Sequence, residues 1–75
     1  MKFKRQFSAD LYHARLASGL TQDEIAQAVG ITLRTYQYIE KGETIPHGDT
    51  LLKLVYLLNL DIERYRAVLT AQSSE

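Results

Sequence analysis

The 75-residue chain has no cysteine, and its nine Lys and Arg are balanced by nine Asp and Glu. The first absence excludes a disulfide framework, a thiolate nucleophile and a cysteine-based zinc site. The second removes the basic excess with which nucleic-acid binders usually release counterions from phosphates. No apolar run approaches the ~20 residues of a spanning helix, and the opening residues lack the apolar core of a signal peptide. A cytoplasmic location without a membrane partner is therefore expected. His13 and His47 lie far apart without a ligand cluster, and neither a Gly-rich phosphate loop nor a nucleophile elbow is present. No enzymatic activity, metal or cofactor is expected.

What remains is an ordinary globular composition, 45% hydrophobic and 24% charged. The length suits one domain, which at this size buries roughly 60 to 65% of its unfolded surface and so has to be compact and regular. The neutral total hides an asymmetry: Met1 to Lys41 carries a net +2, and Gly42 to Glu75 a net −2. A modest basic face on a neutral protein follows, with weaker non-specific attraction for DNA than a strongly basic domain would have.

Apolar spacing and cap residues predict an all-α fold, a compact bundle of five short helices spanning residues 8–70. The first runs from Ser8, an N-cap residue, to Ser18, with Gly19 to close it. Thr21 and Glu24 form a capping-box pair for the second, which ends by Val29 before Gly30. Thr32 caps the third, Leu33 to Lys41, which stops at Gly42. Pro46, the only proline, marks a loop from Glu43 to Gly48. Leu51, Leu54, Val55 and Leu58 then repeat at helical spacing in a fourth helix, Gly48 to Leu58, closed by Asn59. Asp61 caps a fifth through Thr70, with Ile62, Tyr65, Val68 and Leu69 apolar, and residues 71–75 form a frayed tail. No segment alternates with period two long enough for a strand.

The segment Leu20 to Gly42, LTQDEIAQAVGITLRTYQYIEKG, holds two short helices with apolar residues on facing sides and Gly30 at the corner between them. Ala26, Val29, Ile31, Tyr36 and Ile39 are the expected shared core. This segment resembles the Xre/Cro helix-turn-helix family, whose members read L-T-Q-x-x-L-A-x-x-x-G-[VI]-[ST] and continue into a helix ending I-E-x-G. The resemblance covers Leu11 to Tyr65 and implies a lambda-repressor-like domain that sets its third helix in the major groove of double-stranded DNA.

Carried over residue by residue, the resemblance assigns Gln22 to a phosphate, aided by the free N–H groups and dipole of its helix. It assigns base contacts to Leu33, Arg34, Gln37 and Tyr38 on the third helix. Arg34 suits guanine, Gln37 adenine and Leu33 a thymine methyl. Thr32, Lys41, Thr44 and His47 are the remaining phosphate candidates, holding register rather than reading sequence. Each of these side chains also has a plain reading as a solvated helix or loop residue. Arg15 and Glu40 stand where the family has an ion pair linking the first helix to the third.

Met1 to Phe7, MKFKRQF, precedes the motif. It reads as a basic N-terminal arm for phosphate or a minor groove, or as a solvated terminus whose Phe7 staples onto the first helix. His47 replaces the usual capping Ser or Thr, which would allow the fourth helix to start at Asp49. Tyr56, with Val68 and Leu69, reads either as a self-association patch or as core. The resemblance implies a transcriptional regulator, a repressor by preference, that binds a two-fold symmetric operator as a homodimer, because one such domain reads too few base pairs alone. The alternative is an interaction module or antitoxin whose partner is a protein such as a toxin.

Overall fold

Residues 2–66 are described by the computed structural model, which places four α-helices in succession: α1 (Lys2–Ser18), α2 (Gln22–Val29), α3 (Leu33–Glu40) and α4 (Gly48–Leu58). A 3₁₀ turn, Ile62–Tyr65, follows, and the described residues contain no strand. The fold is all-α, and one core unites its elements: Phe3, Phe7 and Leu11 from α1, Ile25, Ala26 and Val29 from α2, Tyr36 and Ile39 from α3, Leu54 from α4, and Tyr65.

The first helix begins at Lys2, not at Ser8, so residues 2–7 of the segment read as an arm are its opening turns. Phe3, Phe7 and Leu11 recur every fourth residue and make one apolar stripe turned to the core. The Phe3 and Phe7 rings stack with centroids 5.5 Å apart, and Tyr65 meets them edge-on at 5.2 and 5.9 Å. Burial of these rings carries the helix past the Ser8 cap signal. Ser8 is itself buried and donates from Oγ to the Arg5 carbonyl at 2.9 Å, so no helix end is left for it to cap.

Between α2 and α3 the local chemistry agrees with the sequence. Glu24 N–H donates to Thr21 Oγ1 at 3.1 Å while Thr21 N–H donates to Glu24 Oε1 at 2.8 Å, closing both halves of the capping box. Gly30 takes φ +80° at the corner, and the N–H of Ile31 reaches back to the Ala26 carbonyl at 3.0 Å. Thr32 then caps α3 by accepting from the N–H of Thr35 at 3.1 Å. Gly42 follows α3 at φ +79°, where a Cβ would come within 2.9 Å of Ser8 Oγ.

Helix α4 starts at Gly48, with His47 in the cap position but without a side-chain cap bond. Asn59, at φ 53°, ends it in the left-handed conformation. The five-helix count is corrected at the last element. Asp61 does cap it, accepting from Glu63 N–H at 3.1 Å, but Ile62–Tyr65 is a 3₁₀ turn, with Arg66 helical after it and residues 67–70 outside the described residues. Tyr65 is the buried residue of this turn, Ile62 is exposed, and the turn sets Tyr65 on α1. Val68, Leu69 and the tail 71–75 lie outside the described residues.

Candidate nucleic-acid interface

Helices α2 and α3 make the most extensive contact between elements in the described chain, and their facing sides hold Ile25, Ala26, Val29, Tyr36 and Ile39 in the core. With Tyr36 and Ile39 turned inward, the 3.6-residue period leaves two outer rows on α3, Leu33 with Gln37 and Arg34 with Tyr38. Leu33, Arg34 and Tyr38 are exposed, whereas Gln37 is half-buried.

A polar network behind these rows joins three helices. Arg15 of α1 donates to Glu40 at the end of α3 through two nitrogens, Nε to Oε2 at 2.8 Å and Nη2 to Oε1 at 3.1 Å. Its remaining nitrogen donates to the Leu20 carbonyl at 3.2 Å. Tyr36 Oη donates to Glu40 Oε2 at 2.6 Å, and Gln22 Nε2 donates to Oε1 at 2.8 Å. Gln37 Nε2 in turn donates to Gln22 Oε1 at 3.3 Å. The Arg15 and Glu40 side chains are only 13% and 6% exposed, so this forked pair is far better shielded than a surface ion pair.

The electrostatics follow from this packing. Burial pushes the Glu40 carboxyl up, but hydrogen bonds from Arg15, Tyr36 and Gln22 outweigh it and hold the group below the usual carboxylate range. The hydrogen bond to Glu40 raises Arg15 against an opposing effect of burial. Burial, and then the bond to Glu40, keeps the Tyr36 phenol protonated well above its ordinary range.

The other sequence-named residues are spread around the rim of α3. Thr32 Oγ1 is engaged within its own cap, accepting from Thr35 N–H and donating to Thr35 Oγ1 at 2.9 Å. Lys41 is exposed at the C-cap of α3. Thr44 and His47 are exposed and line one shallow depression with Ile45, Pro46 and Thr35, away from the Gln22 network. Gln22 and Gln37 are thus brought into contact, as are Arg15 and Glu40.

Sequence reasoning missed two features here. It placed Tyr36 in the core but did not foresee its hydroxyl bond to Glu40. The signal was the four-residue spacing between them on one helix, together with the need of a buried tyrosine hydroxyl for a partner. It also gave no hint that Gln22 would share the Glu40 carboxylate, since 18 residues separate the two.

A helix-turn-helix family model matches residues 11–65, the span that holds both α2 and α3 and the network behind them. No curated protein and no solved structure matches the chain. The matched span covers most of the chain and includes both partners of the buried ion pair and every outer residue of α3; the chain belongs to the Xre/Cro-like helix-turn-helix family, a family of DNA-binding domains characteristic of transcription regulators.

Proposed function

We propose that the protein is a cytoplasmic, sequence-specific regulator of transcription, a repressor that binds a two-fold symmetric operator as a homodimer and reads the major groove with α3. The observation that carries this reading is the pair of outer rows on α3, held on a frame that the buried Arg15–Glu40 pair locks to α1. Leu33, Arg34, Gln37 and Tyr38 contact bases; Arg34 forks onto guanine and Gln37 onto adenine. Gln22, Thr32, Lys41, Thr44 and His47 hold the phosphate backbone, and Arg15 and Glu40 serve structure. Two half-sites lie about 34 Å apart, one helical turn, so that both recognition helices meet the same face of the duplex. Lys2, Lys4 and Arg5, in the opening turns of α1, add attraction for the backbone.

A second reading, an interaction module or antitoxin that captures a protein such as a toxin, draws support from α4 and the turn after it. Tyr56 is 90% exposed, Leu52 66% and Ile62 54%, so apolar side chains of α4 and the following turn face solvent. The two roles are compatible.

The deciding experiment is a fluorescence-anisotropy titration of DNA from upstream of the protein's own gene, at several salt concentrations, with the double variant Arg34→Ala, Gln37→Ala alongside. Submicromolar, sequence-selective binding that the double variant loses is the expected result. Equal, weak binding of every duplex by both proteins would transfer the case to the protein-partner reading.

A further inference from the structure

We propose that Lys4, in the opening turns of α1, works with Lys41 across Gly42 to hold one backbone phosphate that lies outside the base pairs read by α3. This rests on the reading of α3 as the base-reading helix. It goes beyond a general attraction of the basic segment, because it assigns one side chain to one contact and lengthens the stretch of duplex that the domain grips.

Lys4, Ser8, Leu11 and Arg15 follow one another at helical spacing and so lie along one side of α1. Leu11 is buried in the core, Arg15 grips Glu40 at the end of α3, and Ser8 packs on Gly42, where a Cβ would fall 2.9 Å from its Oγ. The same Cβ would lie 4.0 Å from the Lys4 carbonyl. This row of anchors sets α1 across the C-terminal end of α3, and the bare glycine lets the two approach. Half-buried Lys4 is thus held beside Gly42, whose chain neighbour is the exposed Lys41. Phe3 and Phe7, both buried, flank Lys4 and keep these turns helical before any DNA is present.

Charge and groove dimensions direct this corner at phosphate. Asp10 and Glu40, acids of α1 and α3, are already engaged, the first by Arg64 and Tyr65 and the second by Arg15, Tyr36 and Gln22. Glu43 is exposed, and among the described residues neither Lys4 nor Lys41 forms an ion pair with it or with any other acid. Nor does Lys4 serve its own helix: the dipole favours acids in a first turn, and α1 has none there. The eight residues of α3 span about 12 Å, close to the ~12 Å width of the major groove. The end of α3 that carries Lys41 therefore stands at the rim of the groove, where the phosphates run, and α1 brings Lys4 to the same place. The family model begins at residue 11, so this contact is an addition to the matched helix-turn-helix.

The test uses the full chain and a duplex selected by the protein from a randomised pool, titrated by anisotropy over a range of salt concentrations. Wild type is compared with Lys4→Gln, Lys4→Arg and, as an equal change of charge on an exposed position of α4, Lys53→Gln. Lys4→Gln is expected to weaken binding about five- to tenfold at about 0.1 M salt and to reduce the slope of log affinity against log salt by about 1. Lys4→Arg and Lys53→Gln should keep the wild-type slope. The urea midpoint of Lys4→Gln should not fall, because the lysine does not stabilise α1. In a second series, phosphates flanking the read bases are replaced one at a time by uncharged methylphosphonate, and at one position the replacement should weaken wild type more than Lys4→Gln. An unchanged slope for Lys4→Gln, an equal loss of slope for Lys53→Gln, or the absence of such a position would overturn the proposal and leave α3 as the reading helix. Failure of wild type to select any duplex would overturn the DNA-reading function and the proposal with it.

Discussion

The Tyr65 hydroxyl donates to Asp10 Oδ2 at 2.7 Å across a separation of 55 residues, tying the last described turn to the first helix. Arg64 reaches the same carboxylate through Nε at 3.2 Å and Nη2 at 3.3 Å. Beneath them the Tyr65 ring lies against Phe3 and Phe7. The hydroxyl and the ring contribute separately. Tyr65→Phe keeps the ring and leaves Asp10 with Arg64, so it should cost about 1 kcal/mol. Tyr65→Ala should cost about 3 to 5 kcal/mol, in the range of other aromatic truncations in cores. Urea unfolding midpoints of the two variants measure the difference.

Phe7, 2% exposed, tests whether the opening turns of α1 belong to the core. Phe7→Ala should lower stability by about 3 to 5 kcal/mol. Arg5→Ala, on an exposed position of the same turns, should stay within about 0.5 kcal/mol. Thermal unfolding followed by circular dichroism distinguishes these outcomes, and equal small losses would return the segment to the status of an arm.

Glu40 gives stability a defined pH dependence. Its folded carboxyl titrates below the unfolded value of about 4.3, so the unfolded chain takes up the proton first as acid is added. The stabilisation is complete above that unfolded value and is lost as pH falls through the folded one. Glu40→Gln should flatten this acid limb. At neutral pH it should also cost about 3 to 5 kcal/mol, because Arg15 is left buried without its countercharge. Denaturant titrations at a series of pH values check both.

Gly30 and Gly42 share a left-handed backbone but not their surroundings. A Cβ at Gly30 meets nothing within 4 Å, so Gly30→Ala should cost only the left-handed penalty of about 1 to 2 kcal/mol. Gly42→Ala should cost more, since its Cβ falls 2.9 Å from Ser8 Oγ. Introduced into a Ser8→Ala background, Gly42→Ala should cost no more than Gly30→Ala does. A double-mutant cycle that shows no coupling between positions 8 and 42 would contradict the close approach.

On DNA, Lys41→Ala should weaken binding to specific and non-specific duplexes alike and reduce the slope of log affinity against log salt by about 1. Arg34→Ala should instead lose about 1 to 3 kcal/mol of discrimination at a guanine. Anisotropy titrations over a range of salt concentrations separate a phosphate contact from a base contact.

The helix-turn-helix was legible because its signals are local. Thr21 with Glu24, Gly30 and Thr32 each act within four residues, and each takes the role its chemistry suggests. The boundaries that departed from expectation are those where distant burial outweighs a local cue. Ser8 is a good cap residue, yet the Phe3 and Phe7 rings find Tyr65 about 60 residues away, and the helix continues through Ser8. Asp61 caps a 3₁₀ turn where apolar spacing suggested an α-helix. In the candidate site, the types and spacing of Leu33, Arg34, Gln37 and Tyr38 were readable, but the contact between Gln22 and Gln37 was not.

By itself the amino-acid sequence determined the helical class, the order of α2, turn and α3, and the residues offered on the outer rows of α3. Caps, glycine corners and helical periodicity depend on neighbours a few positions apart, and these are written directly in the chain. Only the tertiary structure decided that α1 starts at Lys2, that one carboxylate serves Arg15, Tyr36 and Gln22 together, and that Gln22 in turn meets Gln37. Those outcomes need side chains from separate helices to meet within about 3 Å, the range in which a hydrogen bond has direction. Packing sets that proximity, and residue spacing along the chain does not encode it.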